Sequence, residues 1–165
     1  MLIDTHCHLN DEKLIEREDA IVGSFGTDGI ECAVCVGYDL PSSVLARDIA
    51  SRHDSVYFAP GIHPHDSDTA DDEKYAVIRE LASDNKAVAI GEIGLDYYYD
   101  NSIRELQKKA FCEQIELANE VELPIVLHVR DAYEDARKIL FDMKSYINCG
   151  LLLHCLLYTS PSPRD

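Results

Sequence analysis

Leu2-Ile3-Asp4-Thr5-His6-Cys7-His8 opens the chain as a short apolar run that stops on two imidazoles. Side chains of an extended segment alternate between faces, so His6 and His8 share one side while Cys7 turns the other way, into packing. The pattern recurs along the chain: Glu92 in AVAIGEIGLD (87–96), His128 in PIVLHVR (124–130) and His154 in GLLLHC (150–155). Each run is short, apolar and β-branched enough to be a buried parallel strand. Each also places a metal-competent side chain at its carboxyl end. Strand ends meeting at one rim would bring His6, His8, Glu92, His128 and His154 together, a pattern that points to a metallohydrolase.

Two histidines placed as His6 and His8 are can hold a divalent cation through neutral nitrogens. Glu92 reads as part of a G-E-x-G turn directly after the AVAI run, with Gly91 and Gly94 allowing tight backbone geometry. A carboxylate there can bridge two cations, and its burial without a partner would be costly. Arg130 follows His128 by two residues on the same side, which suits one metal ligand plus one guanidinium for an anionic oxygen.

Around these runs, strand and helix alternate. Strands are expected at Leu2–Thr5, Glu31–Val36, Val56–Ala59, Ala87–Ile90, Ile125–His128 and Gly150–His154, with helices near Glu16–Phe25, Ser42–His53, Glu73–Ser83, Ser102–Val121 and Ala132–Phe141. The fourth helix shows apolar residues at three- and four-residue steps, with Ser102 as N-cap and Glu105 as its capping-box partner. The run 66–73 is expected to cap and solvate the third helix. Alternation of this kind implies a parallel sheet with right-handed crossovers. Two architectures fit, a doubly wound open sheet and a (β/α)8 barrel. Strand count favours the open sheet, because a closed barrel needs eight strands and typically about 250 residues. Ligands drawn from strands one, four, five and six suit a ring instead, and the sequence is then an incomplete barrel. The segment 156–165, LLYTSPSPRD, has turn or linker composition and reads as a tail outside the 1–155 domain, from truncation or read-through.

Composition is ordinary for a globular domain: 165 residues, 46% apolar and 28% charged. The N-terminus reaches Asp4 without a basic or long apolar leader, so a cytoplasmic location is the default expectation. No run is long enough for a membrane span, and nothing calls for an obligate protein partner. The six cysteines read as buried thiols, with Cys32 and Cys35 inside a strand. With 31 acids against 15 bases the formal charge is −16. A whole-surface grip on duplex DNA is therefore excluded, and any nucleic-acid substrate is held locally.

DTHCHL, GIHPH, GEIGLDYY, PIVLHVRDA and GLLLHC stand in the order and spacing that resembles the TatD family of metal-dependent deoxyribonucleases, over residues 1–155. The resemblance implies a TIM-barrel metal-dependent hydrolase with two divalent cations (Mg, Mn or Zn). Its implied substrate is DNA, single-stranded or held by an end, cleaved 3′ to 5′. By motif match it makes His6, His8, Glu92, His128 and His154 metal ligands, with Glu92 the bridging and catalytic carboxylate, and His63 a substrate-side histidine. The family's remaining ligand, an aspartate after a later strand, has no counterpart here, so activity of this chain itself is in question. His63 and Arg130 are the expected phosphate contacts, and Tyr97–Tyr99 offer rings for stacking on a base. Two other readings stay open. An amidohydrolase-like enzyme would act on a small ester or amide, although such relatives bridge their metals with a lysine where this chain has Glu92. A non-catalytic fragment would expose strand edges.

Overall fold

The structure is a computed structural model and describes residues 2–154. The expected tail, and Cys155 before it, lie outside the described residues. Strand and helix alternate as β1 (Leu2–Cys7), α1 (Glu18–Asp28), β2 (Ile30–Val36), α2 (Leu40–Arg52), β3 (Val56–Ala59), α3 (Asp72–Ala82), β4 (Ile90–Asp96), α4 (Arg104–Glu120), β5 (Ile125–Arg130), α5 (Tyr133–Asp142) and β6 (Leu151–His154). Turn chemistry sets the starts of two helices. Asp39 accepts from Ser42 N at 2.8 Å and completes a capping box before α2. Asp71 accepts from Lys74 N at 2.8 Å and caps α3, as the acidic run had suggested. Each such cap satisfies a backbone N–H that the helix itself leaves without a partner.

All pairings are parallel, in the orders β1-β2-β3 and β4-β5-β6. Phe58 in β3 joins the two ladders through a parallel bridge to Ala87. Phe58 N donates to the Lys86 carbonyl at 3.0 Å and Val88 N to the Phe58 carbonyl at 2.9 Å. Strand order therefore follows chain order. In a flat sheet the outer members of six strands would lie about 24 Å apart. Instead the rings of His6 and His154, from β1 and β6, stack with centroids 3.6 Å apart. The array curls into a barrel wall, and the open-sheet alternative falls. The fold is an incomplete TIM barrel, with six parallel strands among the described residues.

Two apolar layers follow from that curl. On the outer face, helices pack Ile49, Ile78, Phe111 and Ile115 against strand residues such as Phe58, Ile90 and Leu127. On the inner face a separate small cluster, Val36, Ala59, Ala89 and Val126 with Val34 and Leu152, contains no helical residue. Small and branched side chains suit the crowded barrel interior.

Two local expectations are corrected. Glu92 is not in a turn, because β4 runs Ile90–Asp96 and GEIGLD is strand. Its glycines serve close strand packing: a Cβ on Gly91 would lie 2.5 Å from Val126 Cβ, and one on Gly94, at φ +140°, 2.0 Å from the His128 carbonyl oxygen. Ser102 does not cap α4, whose N-cap is Ile103 without a side-chain bond. Ser102 Oγ instead donates to the His65 carbonyl at 2.7 Å and lies 3.2 Å from Asp68 Oδ1, tying the start of α4 to the 3-10 turn Pro64–Thr69. Tertiary demand there outweighed the local cap. Cys32 and Cys35 lie in β2, and the five described cysteines are free thiols.

Candidate metal centre

Glu92 is the hub of the barrel rim. It is buried on β4, and each of its carboxylate oxygens faces a different pair of imidazoles. Oε1 lies 2.7 Å from His128 Nδ1 and 3.6 Å from His154 Nε2; Oε2 lies 3.5 Å from His6 Nε2 and 4.0 Å from His8 Nε2. Four strands thus deliver the five side chains that the sequence singled out to one place. Burial works against the Glu92 charge, yet the hydrogen bonds from His128 and His6 outweigh it and hold the carboxyl far below its ordinary range. It is an anion in the site.

The histidines are set up as donors of lone pairs to a cation. His8 Nδ1 faces the Val36 carbonyl at 3.0 Å, so Nδ1 carries the proton and Nε2 is left bare toward Glu92. That carbonyl clamp is what metal-binding imidazoles commonly use. Nε2 of His6 and Nε2 of His8 are only 3.2 Å apart, and His6 Nδ1 is buried with no hydrogen-bond partner among the described residues. Burial lowers the His154 pKa, which keeps its nitrogen available. Converging imidazole nitrogens around one ionised carboxylate fit a divalent cation such as Zn or Mn. Ligand-competent atoms of His6, Glu92 and His154 lie within 4.8 Å of one another, and so do those of His63, Glu92 and His128.

His63 joins the centre from the loop after β3. It is buried, its ring centroid 4.5 Å from that of His128. Its Nδ1 accepts from His65 N at 3.1 Å. Burial pushes its pKa down to about 3, so the ring is neutral and the single proton sits on Nε2 as a donor. The Arg130 guanidinium lies over Tyr98 at 3.8 Å and Tyr99 at 4.8 Å. Rings that are more than half exposed take the cation, a favourable cation–π geometry. Tyr97 turns away and donates to Asp135 at 2.6 Å.

Sequence reasoning passed over four residues. Asp96, buried at the end of β4, receives His65 Nε2 at 3.0 Å and His128 Nε2 at 3.1 Å on one oxygen. It stands four residues beyond Glu92 and so on the same strand face, while His63 and His65 repeat the H-x-H spacing of His6 and His8. Those periodicities were the available signals. The other two are Gln107 and Gln114, buried on α4. Gln114 accepts from Ile62 N at 2.8 Å and donates to its carbonyl at 3.0 Å; Gln107 does the same for Asp96 at 2.9 and 3.1 Å. They hold the backbone of two site-bearing segments. Beside the centre a cleft of about 300 Å³ is lined by His8, Asp11, Tyr38, His63, His65, Asp66 and Glu92.

A curled parallel barrel whose strands bring histidines and a buried glutamate to one rim defines the metal-dependent hydrolase class. The chain belongs to the TatD related DNase family, whose model matches residues 3–160. It is 39% identical to the uncharacterized metal-dependent hydrolase YabD of Bacillus subtilis, covering all of this chain and 64% of that protein. It is 32% identical to the 3′-5′ ssDNA/RNA exonuclease TatD of Cronobacter sakazakii, covering 99% of this chain and 62% of that one. The chain thus spans under two thirds of the length of these relatives. The crystal structure of YJJV, a TatD homologue from Escherichia coli k12, superposes with a TM-score of 0.85 at 26% identity, covering 98% of this chain and 61% of that one. Among the described residues, no helix is long and apolar enough to cross a membrane.

Proposed function

We propose that the whole protein is a nuclease that removes nucleotides from the 3′ end of single-stranded nucleic acid, with two divalent cations that Glu92 and the surrounding histidines would hold. The observation that carries this reading is the division of the Glu92 carboxylate: one oxygen toward His6 and His8, the other toward His128 and His154. A single-cation imidazole site has no need of a carboxylate presented to both sides. When bound, such a pair of cations supplies Lewis acidity and an activated nucleophile for in-line displacement at phosphorus.

The chain's own groups do the rest. Glu92, His6, His8, His128 and His154 would hold the cations, with the Glu92 carboxylate offsetting one unit of their charge. His63 presents Nε2–H to a non-bridging phosphoryl oxygen, its Nδ1 lone pair being taken up by the His65 backbone N–H. The Arg130–Tyr98–Tyr99 surface offers rings to a terminal base, a contact worth about 1–3 kcal/mol per base and tolerant of sequence. The printed name of the Cronobacter relative, a 3′-5′ ssDNA/RNA exonuclease, agrees with this substrate class. With a net charge of −16, binding is confined to this rim.

The test is release of mononucleotides from a 5′-labelled single-stranded oligonucleotide by the whole protein with Mg, Mn or Zn. Activity is expected to be chelator-sensitive and absent in Glu92→Ala. A protein that binds two cations yet leaves every oligonucleotide intact would rule out the nuclease reading.

A further inference from the structure

Asp96 makes four hydrogen bonds through its carboxylate, and they run in two directions. Oδ1 accepts from the backbone N–H of Tyr98 and of Tyr99, each at 3.0 Å. Oδ2 faces His128 Nε2 at 3.1 Å and His65 Nε2 at 3.0 Å. The side chain is 1% exposed, so water does not replace any of these partners. The opposite nitrogen of His128, Nδ1, is the one that points at Glu92. His128 thus stands between two carboxylates; with a cation taking the Glu92 side, its Nε2–H would donate to Asp96, which leaves the lone pair on Nδ1 and fixes the ring plane.

Resting on the metal-centre reading above, we propose that Asp96 is a positioning residue. It holds His128 with Nδ1 bare toward the cation, and through its other oxygen it locks the Tyr98–Tyr99 segment beside that centre. One carboxylate would then set both a ligand and the substrate-facing rim. Gln107, bonded to the Asp96 backbone N–H and carbonyl, holds in place the backbone that carries the carboxylate.

Asp96→Asn separates this role from a plain turn anchor. Only with the amide oxygen toward Tyr98 N and Tyr99 N do both backbone N–H groups keep an acceptor. The amide NH2 then faces His128 Nε2, which must accept, and the imidazole proton moves to Nδ1. We expect the variant of the 165-residue chain to keep its circular dichroism and to lose roughly 10–100-fold in Zn affinity by calorimetric titration. Zn-loaded wild type is expected to show imidazole 15N shifts with His128 Nδ1 coordinated and Nε2 protonated, a measurement that needs no variant. Asp96→Asn binding Zn as wild type does, or His128 coordinating through Nε2, would overturn the role of Asp96 alone. Wild type that takes up no Zn would instead overturn the metal-centre reading.

Discussion

Glu92 and Gly94 show how much a single residue decides here. A carboxylate buried among four imidazoles needs a strand that places it against β5, and Gly94 permits that approach. An alanine at this position would carry its Cβ into the His128 carbonyl at φ +140°. Gly94→Ala is expected to cost at least about 2–3 kcal/mol of stability by urea denaturation, and to weaken metal binding as His128 moves from Glu92. A neutral result would mean that β4 and β5 do not pack as closely as described. That His6, His8, Glu92, His128 and His154 would meet was legible, because each follows a short apolar run. Asp96 was not. Its contacts to Tyr98 and Tyr99 are local and look like an ordinary turn, and only folding brings His65 and His128 to its other oxygen. The stacking of Arg130 on Tyr98 and Tyr99 was not legible either, since adjacent rings past the end of another strand cannot be related to it by spacing.

At the scale of elements, α4 does more than cover the barrel. Its apolar stripe was legible in the sequence, while Gln107 and Gln114 look like surface residues that happen to interrupt it. They lie about two helical turns apart and each brackets one backbone residue, Asp96 on β4 and Ile62 before His63. Gln114→Leu keeps the volume but leaves a buried N–H and a buried carbonyl without that partner, each worth about 1–3 kcal/mol. We expect a loss of about 2–4 kcal/mol in urea denaturation, larger than a surface Gln→Leu change on the same helix would give. A loss below about 1 kcal/mol would show that these amides are not holding the loop. The start of α4 was misread for a related reason: Ser102 serves the 3-10 turn before α3, a partner 34 to 37 residues away, which no capping rule can foresee.

For the whole molecule, the number of strands and their spacing left two architectures open, and the curl of the array decides between them. Opposite ends of the strand order meet where His6 stacks on His154, so the candidate metal centre and the curl of the wall are one feature. A cation that binds only the folded rim should therefore stabilise the entire chain. At a hundredfold excess over its dissociation constant, Mn or Zn is expected to add about 2.7 kcal/mol and raise Tm by roughly 5–10 °C. EDTA should reverse the shift, and Glu92→Gln should abolish it.

The most direct measurement is an anomalous difference map from crystals of the chain grown with Mn or Zn. Peaks are expected within about 2.0–2.2 Å of a Glu92 carboxylate oxygen and of nitrogens from His6, His8, His128 or His154. A map with its signal confined to another carboxylate–histidine group, such as Glu18, Asp19 and His53, or with none at the barrel rim, would contradict the account.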